Sequence, residues 1–368
     1  MTLDEIASRF DIPGRLALLT PTGSGNVNET YLMVFRTAFS EQRAILQKIN
    51  RTVFSKPSWV MENLRTITEH AHRRLEREAA RADRIWQLPR VIACKNRRDY
   101  FRDSAGDCWR ALSLIASATS YDTVQGPDHA QESGAALGQF HRLVSDLKPA
   151  RLHDTLAGFH NTPLYLKRYD ATRRAQRAKH LLQASPQARA LAQFIERRRA
   201  RADVLENARA RGELSVRIIH GDPKASNIMI DDLSGKATSI VDLDTVKPGL
   251  TQYDFGDALR SLCNPAGEET RDLGSVRFDP TLCAAFIKGY MRFARDFLTP
   301  HDKSYLYESV RLIAFELGLR FFEDHLAGNR YFKVRDARHN LRRAHVQLRL
   351  CEKIEAREKE IRAVLSEF

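Results

Sequence analysis

The chain is poor in the residues that would restrict it to several common classes. It has five cysteines in 368 residues (Cys94, Cys108, Cys263, Cys283 and Cys351), an odd number, scattered and never in a C-x-x-C pair. That excludes a disulfide framework or a zinc module and suits a reducing compartment. No run approaches the ~20 apolar residues that a membrane span needs. The opening segment, Met1 to Pro13, is a polar helical pattern without an apolar signal core. A cytoplasmic protein without membrane attachment is the expectation. There is no low-complexity tract and no internal repeat.

What is present describes an ordinary globular chain. Hydrophobic residues make up 43% and charged residues 29%, enough for a large core at this length. The formal net charge is +13. A basic surface favours anionic small molecules or nucleic acid, but the basic residues are spread over helical stretches such as Arg168 to Lys179 and Arg197 to Arg211. No zinc-finger spacing, RNP motif or helix-turn-helix signature accompanies them. Nucleic acid is therefore not an expected partner.

The length predicts two lobes. Arg15 to Thr20, Tyr31 to Phe35 and Arg43 to Ile49 read as strands, the first two separated by a turn at Gly23 and Gly25. Trp59 to Trp86 is helix-permissive. Val91 to Ala93, Tyr100 to Asp103 and Cys108 to Ile115 read as further strands. From about Pro127 the pattern turns helical, with Ala136, Leu137, Phe140, Leu143 and Val144 on one stripe. A β-rich island, Val216 to Val246, interrupts it. A last helix is predicted from Leu341 to Phe368. The fold class is α+β: a small antiparallel-sheet N-lobe at 1–118 and a larger, mainly helical C-lobe at 119–368. One short C-terminal stripe is not a coiled-coil seam, so a monomer is expected.

The β-rich island carries the chemistry. It reads Arg217-Ile-Ile-His-Gly-Asp222-Pro-Lys224-Ala-Ser-Asn227-Ile-Met-Ile. Asp222 and Asn227 have the separation found in kinase catalytic loops, where Asp receives the attacking hydroxyl's proton and Asn holds magnesium. Lys224, between them, is placed to meet phosphate charge. Ile228 to Ile230 and Ala237 to Val241 read as a hairpin around Gly235. Such a hairpin sets its two open ends within about 5 Å, so Asn227 and Asp242 should lie side by side, offering hard oxygen ligands that suit Mg²⁺. A lone Asp here would be an ordinary turn residue; three such groups in this order are more specific. Asp254-Phe-Gly256 spells the kinase D-F-G tripeptide but lies beyond the hairpin that already supplies Asp242. Asp254 and Asp257 read instead as carboxylates at a helix start, steadying that helix or the catalytic loop.

These residues resemble the aminoglycoside phosphotransferase and choline kinase superfamily, and within it the N-acetylhexosamine 1-kinases. The similarity extends over Gly25-Asn-Val-Asn-Glu-Thr-Tyr31, Ile45-Leu-Gln-Lys-Ile-Asn50, Phe159-His-Asn-Thr-Pro163, Val241-Asp-Leu-Asp-Thr-Val-Lys-Pro-Gly249 and Tyr253-Asp-Phe-Gly-Asp-Ala-Leu-Arg260. It continues from Gly318-Leu-Arg-Phe-Phe322 to Tyr331-Phe332. The resemblance implies a bilobal protein-kinase-like fold with ATP and Mg²⁺ as cofactors. It implies transfer of the γ-phosphate to the anomeric hydroxyl of a neutral N-acetyl sugar. Asp222 would be the base, Asn227 and Asp242 the metal ligands, and Asn28, Arg320 and Tyr331 sugar contacts beside Asp222. Gly23, Gly25 and Lys48 would serve the nucleotide. Two positions depart from the pattern: Asn26 stands where the group usually has His, and Gln47 and Lys48 point to opposite faces of a strand, so either is the residue turned to phosphate. Three other readings compete: a kinase of an aminoglycoside- or choline-like alcohol, a non-catalytic binding protein on the same fold, and a nucleic-acid binder. A polycationic acceptor calls for an acidic pocket, which a basic helical lobe does not favour.

Overall fold

The computed structural model describes residues 1–23, 27–78 and 84–368. Helix α1 (Leu3–Ala7) opens on a capping box, with Thr2 and Glu5 each bonding the other's backbone N–H. Strands β1 (Arg15–Pro21), β2 (Glu29–Arg36) and β3 (Glu41–Ile49) follow, then helix α2 (Pro57–Glu78). Strands β4 (Val91–Ile92), β5 (Phe101–Arg102) and β6 (Cys108–Ser113) complete an antiparallel sheet of order β1-β2-β3-β6-β4, with β5 also on β6.

This sheet is apolar on both faces because successive side chains alternate. Ala44 and Leu46 of β3, with Trp109 and Ala111 of β6, join Ile6 and Phe10 in a small core under α1. Ile45 and Ile49, with Cys108 and Leu112, face the other way, into the main core. Helix α2 reaches that core through Val60, Met61, Leu64, Ile67 and Ala71, a helical stripe. The main core then continues unbroken into the C-terminal half of the chain.

That half is mainly helical. After β7 (Ala118–Thr119) come α3 (Pro127–Val144), α4 (Thr162–Arg173), α5 (Gln176–Ala184), α6 (Pro186–Arg198) and α7 (Val204–Ala210). Four short strands interrupt the helices: β8 (Arg217–Ile219), β9 (Ile228–Asp231), β10 (Ala237–Ile240) and β11 (Lys247–Gly249). They make two small sheets, β10-β9-β7 and β11-β8. Helices α8 (Thr251–Leu262), α9 (Pro280–Ala294), α10 (Pro300–Ser304), α11 (Leu306–Ala327), α12 (His339–Ala356) and α13 (Glu358–Leu365) finish the chain. The mixed α+β architecture, sheet first and helices after, is the one expected.

Helices α3 and α9 touch backbone to backbone. A Cβ on Gly289 would lie 1.8 Å from the Gln131 carbonyl oxygen, and one on Gly134 2.0 Å from that of Phe286. Only glycine permits this approach.

Two helix expectations fail at their ends. The helix predicted to Trp86 is helical to Glu78, and from Arg84 onward the chain is irregular. The Gln87 N–H bonds the Thr238 carbonyl at 2.8 Å and Trp86 is buried, so tertiary contacts hold this stretch extended. The last helix breaks at Arg357, giving α12 and α13. Among the described residues no helix is long and apolar enough to cross a membrane.

Candidate active site

Strand β8 ends in the turn His220-Gly221-Asp222. Gly221 adopts φ 86°, and a Cβ there would sit 2.7 Å from the Thr245 carbonyl oxygen, so the turn needs glycine. Pairing of β8 with β11 brings this segment close, and the Thr245 hydroxyl donates to the His220 carbonyl at 2.7 Å.

Asp254, in the first turn of α8, fixes the loop from behind. Its buried carboxylate accepts the backbone N–H of His220 at 2.6 Å and of Gly221 at 2.8 Å. It also meets His141 Nε2 at 2.9 Å, while His141 Nδ1 meets the Tyr290 hydroxyl at 3.0 Å. An ionised carboxylate only accepts, so His141 donates from Nε2. Burial pushes Asp254 up, but the His141 hydrogen bond and field, with the Gly221 N–H, outweigh it and hold its pKa below the usual value. The expected service of Asp254 to the catalytic loop is what the geometry shows; no cap bond to its own helix accompanies it.

His220 ties the loop to the neighbouring hairpin. Its Nε2 donates to the Val241 carbonyl at 2.9 Å and its Nδ1 accepts the Asp222 N–H at 3.3 Å. Burial lowers its pKa, consistent with that neutral tautomer.

Strands β9 and β10 form the expected hairpin, with Ile228 opposite Ile240. The Val241 N–H bonds the Asn227 carbonyl at 2.8 Å. Asn227 and Asp242 therefore leave the hairpin together. Asp242 takes a left-handed conformation, φ 62° and ψ 55°, which costs a non-glycine residue about 1–2 kcal/mol and turns the chain sharply after β10. Asn227 Nδ2 donates to the Asp222 carbonyl at 2.8 Å and lies 3.3 Å from Asp222 Oδ2. Lys224 Nζ meets that same Oδ2 at 2.6 Å.

The charges divide by neighbourhood. Burial pushes Asp222 up, but the Lys224 ammonium outweighs it and keeps Asp222 below its usual pKa, hence ionised at neutral pH. Lys224 is raised in turn, the pull of Asp222 exceeding the cost of burial. Asp242 is the opposite case. The protein crowded around it, then Asp244 and Asp222, push its pKa up to about 7. Among the described residues its carboxylate has no hydrogen-bond or ion-pair partner. A carboxylate short of positive charge beside an amide oxygen fits a hard divalent cation.

The other expected site residues fall into three places. Arg320 lies on α11 in a box of rings, its guanidinium 4.9 Å from the Phe159 ring centroid, 5.0 Å from Tyr165 and 5.5 Å from Phe332. Tyr331 stands on the next loop, its own ring mostly exposed and edge-on to Phe332. That loop is pinned by buried Asp324, which accepts the N–H groups of Arg330, Tyr331 and Phe332. This wall reaches the catalytic loop through His160, whose ring lies 3.2 Å from the Gly221 carbonyl and 3.1 Å from Glu316.

Asn28 lies elsewhere, at the junction of sheet and hairpin. Its Nδ2 donates to Asp244 Oδ2 at 2.7 Å and its Oδ1 accepts the Asn50 N–H at 3.0 Å. Both ends of its amide are thus engaged by protein. Gly23 is exposed at the β1–β2 turn with φ 77° and open space beside it. Gly25 and Asn26 lie outside the described residues.

Lys48 is not brought to the catalytic loop. It is on the face of β3 shared with Leu46, its ammonium 2.8 Å from Asp107 and 3.3 Å from Glu29. Gln47 is the residue on the cleft side, and it accepts from Arg110 Nη2 at 2.7 Å. Arg110 pairs across to Asp244 at 2.5 Å, both side chains buried. Sequence reasoning missed Arg110, Asp244, Asp324, His160 and Glu316. The available signal for Arg110 was a charged residue inside the otherwise apolar run of β6.

Asp222, Asn227 and Asp242 gathered at a hairpin base beside an antiparallel sheet form an arrangement suited to phosphoryl transfer. Residues 21–296 match the phosphotransferase enzyme family, and the chain belongs to it. Solved structures of the same protein-kinase-like fold are similar over nearly their whole length. A microcompartment-associated aminopropanol kinase is 17% identical, with TM-score 0.60 and 97% of each chain covered. An aminoglycoside phosphotransferase from Alicyclobacillus acidocaldarius is 15% identical, with TM-score 0.60, covering 100% of this chain and 97% of that one. A choline kinase from Cryptosporidium parvum is 12% identical, with TM-score 0.56, covering 95% and 93%. The resemblance to the aminoglycoside phosphotransferase and choline kinase superfamily holds at the level of family and fold.

Proposed function

We propose that this phosphotransferase is an ATP- and Mg²⁺-dependent kinase whose acceptor is the anomeric hydroxyl of an N-acetylhexosamine. The observation that carries the kinase half is the convergence of Asp222, Asn227 and Asp242 on one cleft. Asp222, kept ionised by Lys224, receives the proton of the acceptor hydroxyl as that oxygen attacks the γ-phosphorus; the bond to the β-phosphate bridging oxygen breaks and ADP leaves. Asn227 and Asp242 would hold Mg²⁺, which neutralises phosphate charge when bound. Lys224 moves from Asp222 toward the phosphate as charge develops there.

The acceptor half rests on Arg320. Burial alone would lower its pKa, but Tyr165, Glu316, Tyr331 and Asp257 raise it, so it is a fixed cation in the acceptor wall. His160 meets both the Gly221 carbonyl and Glu316, one helical turn before Arg320, which supports reading that wall as lying beside the catalytic loop. Three rings around a cation would otherwise suit an alkylammonium alcohol; here the protein's own guanidinium fills the box. A guanidinium only donates, which suits a neutral acceptor with carbonyl and hydroxyl oxygens. Gluco and galacto epimers differ by one hydroxyl, and a buried polar group aimed at it makes that choice.

The direct test is ADP release from Mg·ATP with N-acetylglucosamine, N-acetylgalactosamine, glucose, galactose, choline and kanamycin, with phosphorus NMR of each product. An anomeric phosphate of an N-acetyl sugar is expected; turnover of choline or kanamycin alone overturns the acceptor assignment. Arg320→Ala should raise the sugar KM by about 10–100-fold, the range for a charge-assisted hydrogen bond, and leave the KM for ATP in place. Equal changes in both would place Arg320 outside the acceptor site. Asp242→Ala should abolish Mg²⁺-dependent ATP binding in a calorimetric titration. Undiminished Mg·ATP affinity would remove Asp242 from the metal site.

A further inference from the structure

In protein kinases a lysine on the third strand and a glutamate on the following helix join the sheet to the nucleotide site. Among the described residues neither is in place. The β3 lysine, Lys48, is turned to the opposite face, over the Trp109 ring and against Asp107 and Glu29. On α2 the residue facing the metal-side loop is Asn63, which donates to the Val246 carbonyl at 3.1 Å and to the His153 carbonyl at 2.9 Å.

Another row of side chains crosses the cleft face of the sheet instead. Thr30, Gln47 and Arg110 are direct neighbours on β2, β3 and β6. Gln47 Nε2 donates to the Thr30 hydroxyl at 3.1 Å, and Gln47 Oε1 accepts from Arg110 Nε and Nη2 at 3.0 and 2.7 Å. The free end of the guanidinium, Nη1, lies 2.5 Å from Asp244 Oδ1, an ion pair and not an aligned hydrogen bond, while Asp244 Oδ2 is taken by Asn28. Asp244 is two residues beyond Asp242, in the same tight turn. Arg110 and Asp244 are 1% and 2% exposed. A buried, paired charge loses more when one partner is removed than an exposed pair does.

We propose that Arg110 is a positioning residue for phosphoryl transfer: seated on Gln47, it holds Asp244 and through it the Asp242 turn against the sheet, replacing the strand lysine and helix glutamate as the link between sheet and metal loop. Gln47 is then not a weakened lysine but the acceptor that seats the arginine. A lysine in its position would offer no acceptor and would set an ammonium against the guanidinium. The inference rests on the ATP- and Mg²⁺-dependent reading, not on the choice of acceptor.

The test is Mg·ATP affinity by calorimetry on the full chain, which needs no acceptor, with kinetics added for whichever acceptor turns over. Arg110→Met should weaken Mg·ATP binding roughly 5- to 150-fold, the usual range for coupling between sites. It should lower kcat while leaving the acceptor KM in place, and Arg110→Lys should restore part of the loss. Gln47→Lys alone should weaken binding, yet in the Arg110→Met background the same change should strengthen it. That reversal of sign is the diagnostic result, since a purely structural role predicts further loss of thermal stability without it. Where Arg110→Met does not fold, Arg110→Lys and Gln47→Lys carry the comparison, each expected to weaken binding in a protein of normal melting temperature. Wild-type affinity in Arg110→Met, or improved affinity in Gln47→Lys alone, would overturn the proposal. If the wild-type chain does not bind Mg·ATP at all, it is the nucleotide reading that falls.

Discussion

Asp222→Asn should fold normally, bind Mg·ATP and lose about 10²–10⁴ of kcat, the usual contribution of a positioned general base. The substitution keeps the side chain's shape. The contact from Asn227 Nδ2 to the Asp222 backbone carbonyl, at 2.8 Å, does not depend on the carboxylate. The loop is also held through His220 and Gly221, by Asp254. What is lost is the negative charge that accepts the hydroxyl proton and that keeps Lys224 at 2.6 Å. Steady-state kinetics with a thermal melt decides it. A variant with near-normal kcat would show that the proton goes elsewhere, and one that melts far below the parent would show that Asp222 is chiefly structural.

The second large effect concerns a residue that never meets substrate. Asp254 accepts from three donors, two of them backbone N–H groups of the catalytic loop. In Asp254→Asn an amide has one oxygen and two hydrogens to set against those donors, so at least one N–H is left buried and unmet. Hydrogen bonds to a charged group are worth about 1.5–3 kcal/mol each, and breaking a buried charge network costs about 3–5 kcal/mol. A loss of that order in urea-unfolding free energy is expected, together with a fall in kcat as His220 and Gly221 shift. A loss below about 1 kcal/mol would show the loop to be held by other means. The pH dependence follows from the direction of the shift. The folded pKa of Asp254 lies below its usual value. Its stabilisation is therefore complete above the unfolded value of about 3.9 and disappears as pH falls through the folded one. The Asn variant should lose less stability on acidification than the parent over that range.

The catalytic residues were legible because local pairing made them so. A hairpin turns the distance between Asn227 and Asp242 into adjacency by counting alone, and Gly221 and Gly235 mark the turns. Arg110 and Asp244 were not legible, since their meeting depends on which strand β6 joins and on how the sheet rests on the helices. The facing of Gln47 and Lys48 was left open by the sequence for a different reason. Alternation says that they point apart, but Ala44 and Leu46 are as apolar as Ile45 and Ile49, so the strand has a core on each side and its parity cannot be read from hydrophobicity. Asn28 is engaged between Asn50 and Asp244; its side chain gave no sign of that long-range partner. The helix expected to reach Trp86 was read too far because Ala and Arg keep good helix propensity up to Arg84, whereas Trp86 is drawn into the core.

The backbone contact between α3 and α9 sets Tyr290 against His141, and through it Asp254 and the loop. The rings around Arg320 come instead from α4, from the loop before it and from the loop after α11. Between the two, His160 meets Glu316 on one side and the Gly221 carbonyl on the other, within the close packing of α8 against α11. On the proposed reading, the base and metal pair and the acceptor wall are carried by different elements. Substitutions at Phe159, Tyr165 or Arg320 would then alter the acceptor while leaving the base and metal pair in place, whereas a single methyl group added at Gly289 would force apart the helices behind the loop that carries them.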